Sequence, residues 1–168
     1  MTSYVFDIET NGLSGMKNRI TCISILNITS NEITTFIGKD EIKILNQFWE
    51  AISHANILYG FNSDAFDIKF LIQRSLINSV QLPFLFKNIK FIDLRKISNG
   101  FWYSYNKFEK GTLNDWAKIL MGIEKENDGK EMIEAYEKED FEKIKKHCEL
   151  DVIMTKKLYD RIKYCNLL

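Results

Sequence analysis

The sequence predicts an α/β domain, with helices packed on the faces of a mixed sheet. Three observations predict it. Strand-like segments joined by turn residues open the chain, strands separated by helical repeats follow, and the sequence from Thr112 onward is mostly helical. The 168 residues, 45% hydrophobic and 27% charged, have the size and composition of one soluble domain with a full core. There is no repeat, low-complexity tract or Pro/Gly-rich linker, and Pro83 is the lone proline, so residues 1–168 are read as a single domain.

The elements follow in order. Tyr4 to Ile8 has strand character, because Tyr, Val, Phe and Ile favour strands. Asn11-Gly12-Leu13-Ser14-Gly15 is a turn. Arg19 to Ile28 and Ile33 to Ile37 are the next strands, and Thr29-Ser30-Asn31 between them makes the pair a hairpin. Asp40 reads as a helix N-cap before Ile42, Leu45, Phe48, Trp49 and Ile52 at helical spacing. Ile57 to Phe61 is a short buried strand. Ser63 or Asp64 is expected to cap the helix that carries Phe66, Phe70, Leu71 and Ile72. Phe91-Ile92-Asp93-Leu94 is the fifth strand, and the last helix spans about Asp140 to Ile162.

Composition removes several function classes. Lys plus Arg equals Asp plus Glu at 23 each, so no bulk electrostatic grip on nucleic acid is indicated, and a phosphate partner must be held locally. Cys22, Cys148 and Cys165 are too far apart for a paired metal spacing or a disulfide framework, which predicts a reducing, cytoplasmic setting. No secretory signal and no bilayer-spanning apolar stretch is visible.

The chemistry begins with Asp7 and Glu9. Alternate strand residues point the same way, so both carboxylates emerge on one face of the first strand. Like charges so placed repel and raise each other's pKa, an arrangement a divalent cation relieves. Asp67 falls in the first turn of its helix, where a carboxylate also suits the helix dipole. In the last helix, Phe141, Ile144, Cys148, Val152, Thr155, Leu158 and Ile162 form the apolar stripe, and His147 and Asp151 lie four apart beside it. An acid at the edge of a buried face is costly unless paired. Oxygen ligands of this kind suit magnesium or manganese, and two such ions clamp the attacking and leaving oxygens of a phosphoryl transfer.

The segments Phe6-Asp7-Ile8-Glu9-Thr10, Asn62-Ser63-Asp64-Ala65-Phe66-Asp67 and His147-Cys148-Glu149-Leu150-Asp151 resemble, in this order and at these separations, the three motifs of the DEDD 3′–5′ exonucleases of the DnaQ-like superfamily. The chain is most similar to the proofreading domain of family-B DNA polymerases and its free-standing relatives. The resemblance covers nearly the whole chain and includes the Gly111–Ala117 and Gly129–Glu131 stretches. It implies a ribonuclease-H-like fold with a five-stranded mixed sheet and two divalent ions, Mg2+ or Mn2+. Asp7 would bridge both ions, Glu9 and Asp151 would complete the tighter site, and Asp67 would act on the second through water. The backbone at Thr10 would meet the terminal 3′ hydroxyl, Leu13 would wedge against the last base, Asn62 would order substrate and turn, and Phe66 is a further substrate contact. The implied reaction releases nucleoside monophosphates from single-stranded ends, with DNA preferred over RNA. The alternatives are a 3′–5′ exoribonuclease, or a catalytically weak nucleic-acid-binding or partner-docking module with the same fold. No polymerase or helicase segment is visible, so coupling to either would come through a partner.

The chain departs from the family at one position. Relatives orient the attacking water with Tyr four residues before the last Asp or with His five before it; here His147 takes the tyrosine slot and Lys146 the histidine slot. Imidazole is a base near neutrality, so His147 is expected to orient or deprotonate the water; the alternative is a packing role at the helix edge. His54, near the end of the first helix, is read as structural. Phe101 to Phe108 is dense in aromatics, with Arg95, Lys107 and Lys110 around it, and Trp102 within it is either a stacking platform for single strands or part of a packing or oligomer contact.

Overall fold

The computed structural model describes residues 2–100, 111–123 and 129–168. The Phe101–Phe108 segment, Trp102 included, lies outside the described residues. Five strands, β1 (Ser3–Thr10), β2 (Ile20–Asn27), β3 (Ile33–Ile37), β4 (Ile57–Gly60) and β5 (Lys90–Asp93), form one sheet in the order β3-β2-β1-β4-β5. β1 is central, antiparallel to β2 and parallel to β4, and β5 runs parallel to β4, so the sheet is mixed. The helices are α1 (Glu41–Ala51), α2 (Asp67–Ile77), α3 (Leu94–Ser98), α4 (Leu113–Met121), α5 (Gly129–Glu137) and α6 (Phe141–Tyr164).

Strand alternation sorts β1 between two cores. Phe6 and Ile8 point to one face, where they meet Ile23 and Ile25 of β2, Leu45, Phe48 and Trp49 of α1, and Phe70 and Leu71 of α2. Val5 points to the other face and joins Leu26, Tyr59 and α6 residues Val152, Leu158 and Ile162. Asp7 and Glu9 share the parity of Val5, so they face α6. A third cluster, Cys22, Met132, Ala135, Ile144 and Cys148, packs α5 and α6 beside them. Each large apolar side chain buried this way contributes about 1.5–3 kcal/mol, which is what holds α6 over the acids.

The element ends follow local chemistry. Asn27 accepts from the Thr29 and Ser30 backbone N–H groups, and Asn31 takes the left-handed conformation (φ 60°) that closes the β2–β3 hairpin. Asp40 caps α1 by accepting from Lys43 N, as the sequence predicts, and Asp140 caps α6 in the same way. Thr112 and Asp115 form a capping box at α4, which ends on left-handed Gly122.

The predicted cap of α2 is corrected. The helix begins at Asp67 behind Phe66, with no side-chain cap. Ser63 and Asp64 serve other ends. Ser63 is buried under Gly60, where a Cβ would lie 2.5 Å from the Ser63 Cβ, so only glycine permits the approach. Asp64 pairs with Lys96, and its N–H donates to Asp93 at 3.3 Å. The short helix α3 directly after β5 also has no counterpart in the sequence reading; Asp93 starts it by capping Arg95 N. His54 lies just past the end of α1, in the turn before β4. No helix among the described residues is long and apolar enough to cross a membrane.

Away from the acids facing α6, a buried ion pair ties three segments together. Arg74 of α2 donates to both carboxylate oxygens of Glu41 of α1 at 2.9 and 2.7 Å, and to Gly15 O at 3.2 Å. Glu41 also accepts from Ile20 N and Asn78 Nδ2, at 2.8 and 2.9 Å. The pair therefore fixes the 11–19 segment, on which Leu13 sits 87% exposed, against both helices.

Candidate functional site

The second half of β1 and the middle of α6 build the site. In register, Asp7 lies opposite Ser24 and Glu9 opposite Cys22. α6 crosses this face with three consecutive residues bonded to the sheet. His147 Nδ1 is 2.6 Å from Glu9 Oε1, Cys148 Sγ donates to Asp7 O at 3.5 Å and Asp7 Oδ2 at 3.7 Å, and Glu149 Oε1 accepts from Thr35 Oγ1 at 2.8 Å. Thr35 is in turn hydrogen-bonded to Ser24 across β2 at 3.0 Å. Helical spacing then brings Asp151 to the same end as His147, with Oδ2 3.8 Å from Nδ1.

Two ligand sets result, and they share Glu9. Asp7, Glu9 and Cys148 form one; Glu9, His147 and Asp151 form the other; within each, the ligating atoms lie within 4.8 Å of one another. Of the acids singled out in the sequence, Asp7, Glu9 and Asp151 are thus brought together with His147. Asp67 is in neither set. It is buried and hydrogen-bonded by its own N–H and that of Ile8. Burial pushes its carboxyl pKa up to about 7, and the charges of Glu9 and Asp93 add to the effect against the pull of those backbone bonds.

That shift sets an expected result for the metal-free protein. An unfolded Asp67 ionises near its ordinary value of 3.8, while the folded one holds its proton to about 7. The unfolded state therefore binds fewer protons in that window, and stability falls as pH rises through it. Asp67→Asn removes this cost, so its thermal midpoint in EDTA should exceed that of the wild type at pH 8 and match it near pH 4. A variant no more stable than wild type at the higher pH would contradict it.

The Cys148 thiol is pushed well above the usual range, first by burial and then by Cys22, Asp7 and Glu9 around it. At neutral pH it is a protonated donor to Asp7, not a thiolate. A carboxylate oxygen accepts, so His147 Nδ1 is the donor in its 2.6 Å bond to Glu9. The Nε2 atom of the same ring is buried.

The remaining predicted residues are placed as follows. Thr10 Oγ1 donates to Gly12 O at 2.7 Å, fixing the turn after β1. Phe66 packs on Phe70, with ring centroids 5.4 Å apart, at the rim of the core. Asn62 is left-handed (φ 62°); its N–H donates to Asp93 Oδ1 at 2.8 Å and its Oδ1 accepts from Arg95 at 2.8 Å. Asp93 is the residue the sequence reading passed over. It is buried and gathers the N–H groups of Asn62, Asp64 and Arg95. A signal was present: Phe91-Ile92-Asp93-Leu94 repeats the pattern Val5-Phe6-Asp7-Ile8, an acid near the carboxyl end of a buried strand, where α/β proteins place their sites.

A five-stranded mixed sheet with flanking helices and acids clustered on its central strand is the RNase H-like nuclease fold. A sequence model described as RNase_H superfamily matches residues 4–163, and the chain belongs to that superfamily. It is 33% identical, over 181 aligned positions, to an uncharacterized protein of Methanocaldococcus jannaschii, covering 100% of this chain and 99% of that one. The fold also superposes on the family B DNA polymerase from the hyperthermophilic archaeon Pyrobaculum calidifontis, with a TM-score of 0.80 over 96% of this chain at 14% identity. The chain spans 24% of that polymerase's length, and the likeness is one of fold.

Proposed function

We propose that this chain is a metal-dependent 3′–5′ exonuclease that releases nucleoside monophosphates from single-stranded DNA ends. One observation carries the reading: β1 and α6 bring Asp7, Glu9, His147 and Asp151 into two ligand sets joined at Glu9. The donors fit hard divalent cations, since carboxylate oxygens dominate and the one thiol is held protonated. Asp7, Glu9 and Asp151 would hold Mg2+ or Mn2+, with Asp67 joining through water. Such ions supply charge neutralisation for phosphodiester hydrolysis.

The chain's own groups do the rest. The Nδ1–H of His147 fixes the orientation of Glu9, and the ring would orient or deprotonate the attacking water. Leu13, almost fully exposed beyond Thr10, offers an apolar edge to the last base. Asn62, locked by Asp93 and Arg95, presents the turn that leads to Asp67. The preference for DNA rests on the likeness to a DNA polymerase fold.

The test is digestion of 5′-labelled single-stranded DNA and RNA of matched sequence with manganese. The expected result is stepwise shortening from the 3′ end of the DNA, lost in EDTA and in Asp7→Ala. Faster loss of RNA would move the substrate to an exoribonuclease's. Binding of either strand without turnover would leave a nucleic-acid-docking module in place of an enzyme.

A further inference from the structure

Arg95 is the second residue of α3, and three contacts hold it. Its N–H donates to Asp93 Oδ1 at 3.0 Å, its NH1 donates to Asn62 Oδ1 at 2.8 Å, and its guanidinium stands 5.9 Å from the centre of the Phe61 ring. The side chain is thus half-buried and fixed on the turn that leads into Asp67. Arg74 pairs with Glu41 and neighbouring Lys96 pairs with Asp64, whereas no carboxylate among the described residues forms an ion pair with Arg95. A guanidinium has five N–H donors in a rigid fork, and one is used on Asn62. A partly desolvated cation with spare donors is stabilised by an anion that arrives from outside, and the fork matches two oxygens of a phosphate.

The place selects the phosphate. Asp93 catches Arg95 N and Asn62 N on the same oxygen, and its charge reaches Asp67, which in turn feels Glu9. Arg95 is thus fixed to Asn62, in the turn between β4 and α2, whose first residue is Asp67. With zero net charge, the chain must hold a polyanion through such fixed local cations.

We propose that Arg95 binds a backbone phosphate of the single-stranded nucleic-acid substrate through the donors that Asn62 leaves over. The identity of the ligand rests on the nuclease reading above. The phosphate lies in the strand beside the turn, so Arg95 sets affinity and register, not sequence preference.

The test is binding of oligodeoxythymidylate with calcium replacing manganese, titrated over a range of potassium chloride. Arg95→Gln should weaken binding about tenfold at low salt, as expected for a lost charge-assisted hydrogen bond. It should also reduce the slope of log K against log salt by about 0.7, the value of one phosphate contact on a single strand. Arg95→Lys should keep the wild-type slope. If Arg95→Gln does not fold, Arg95→Met, which keeps the aliphatic stem over Phe61, is put through the same titration. Weakened binding at the wild-type slope would mean that Arg95 only holds Asn62, and would overturn the proposal; so would unchanged affinity. Wild type that binds with this salt dependence but never digests DNA in manganese sinks the exonuclease reading and leaves the phosphate contact standing. Digestion together with an unchanged slope sinks the contact alone.

Discussion

Glu9→Ala is expected to lower the rate of 3′-end digestion at saturating manganese by about three orders of magnitude, or ~4 kcal/mol of barrier. No other residue belongs to both ligand sets. Loss of Asp151 leaves the set built on Asp7, and loss of Asp7 leaves the set built on His147, but loss of Glu9 opens both. The same change should not harm the fold. Glu9 is a buried acid whose charge opposes ionisation of Asp67, so its removal relieves repulsion when no cation is present and offsets the lost hydrogen bond to His147 Nδ1. The thermal midpoint of Glu9→Ala in EDTA should stay close to that of wild type, while manganese, which should raise the wild-type midpoint, should move the variant's far less. The two readouts separate catalysis from collapse. Activity within tenfold of wild type in a folded variant would place the reaction centre elsewhere.

What the sequence disclosed and what it hid divide along physical lines. Asp7 and Glu9 were legible because strand geometry alone puts i and i+2 on one face, and two acids there are conspicuous in an apolar run. His147 and Asp151 were legible because the helical stripe of α6 is long and regular, so their side of the helix follows from counting. Asp67 was placed correctly in the first turn of α2, but its absence from both ligand sets depends on how the turn from Asn62 folds. That turn is set by Asp93, which acts on backbone N–H groups about thirty residues away, and a backbone partner leaves no mark in residue types. The cap of α1 was readable for the opposite reason: its partner lies three residues downstream. The Glu41–Arg74 pair has no local signature, because nothing in either segment says that two distant charges share one buried pocket.

Arg74→Met is expected to destabilise the fold by about 3–5 kcal/mol, because it leaves Glu41 buried without its cation. The loss is larger than that of a surface pair such as Lys39–Glu139, which contributes about 0–1 kcal/mol. Urea unfolding at neutral pH measures it. The double variant Arg74→Met with Glu41→Leu should be less destabilised than Arg74→Met alone, since the stranded charge is gone. It will not reach wild type, because Ile20 N and Asn78 lose their acceptor. The pH dependence identifies the mechanism. Burial works against the charge on Glu41, yet hydrogen bonds from Arg74, Ile20 and Asn78 and the guanidinium charge overcome it, and the net pKa lies below the ordinary 4.5. A folded carboxyl pKa below the unfolded one stabilises fully above the unfolded value and ceases to do so as pH falls through the folded value. Wild type should therefore lose part of its stability on acidification below 4.5, and Arg74→Met should lack that part. An acid limb of equal size in both proteins would show that Arg74 does not hold Glu41 ionised, and the 11–19 segment carrying Leu13 would then owe its position to other contacts.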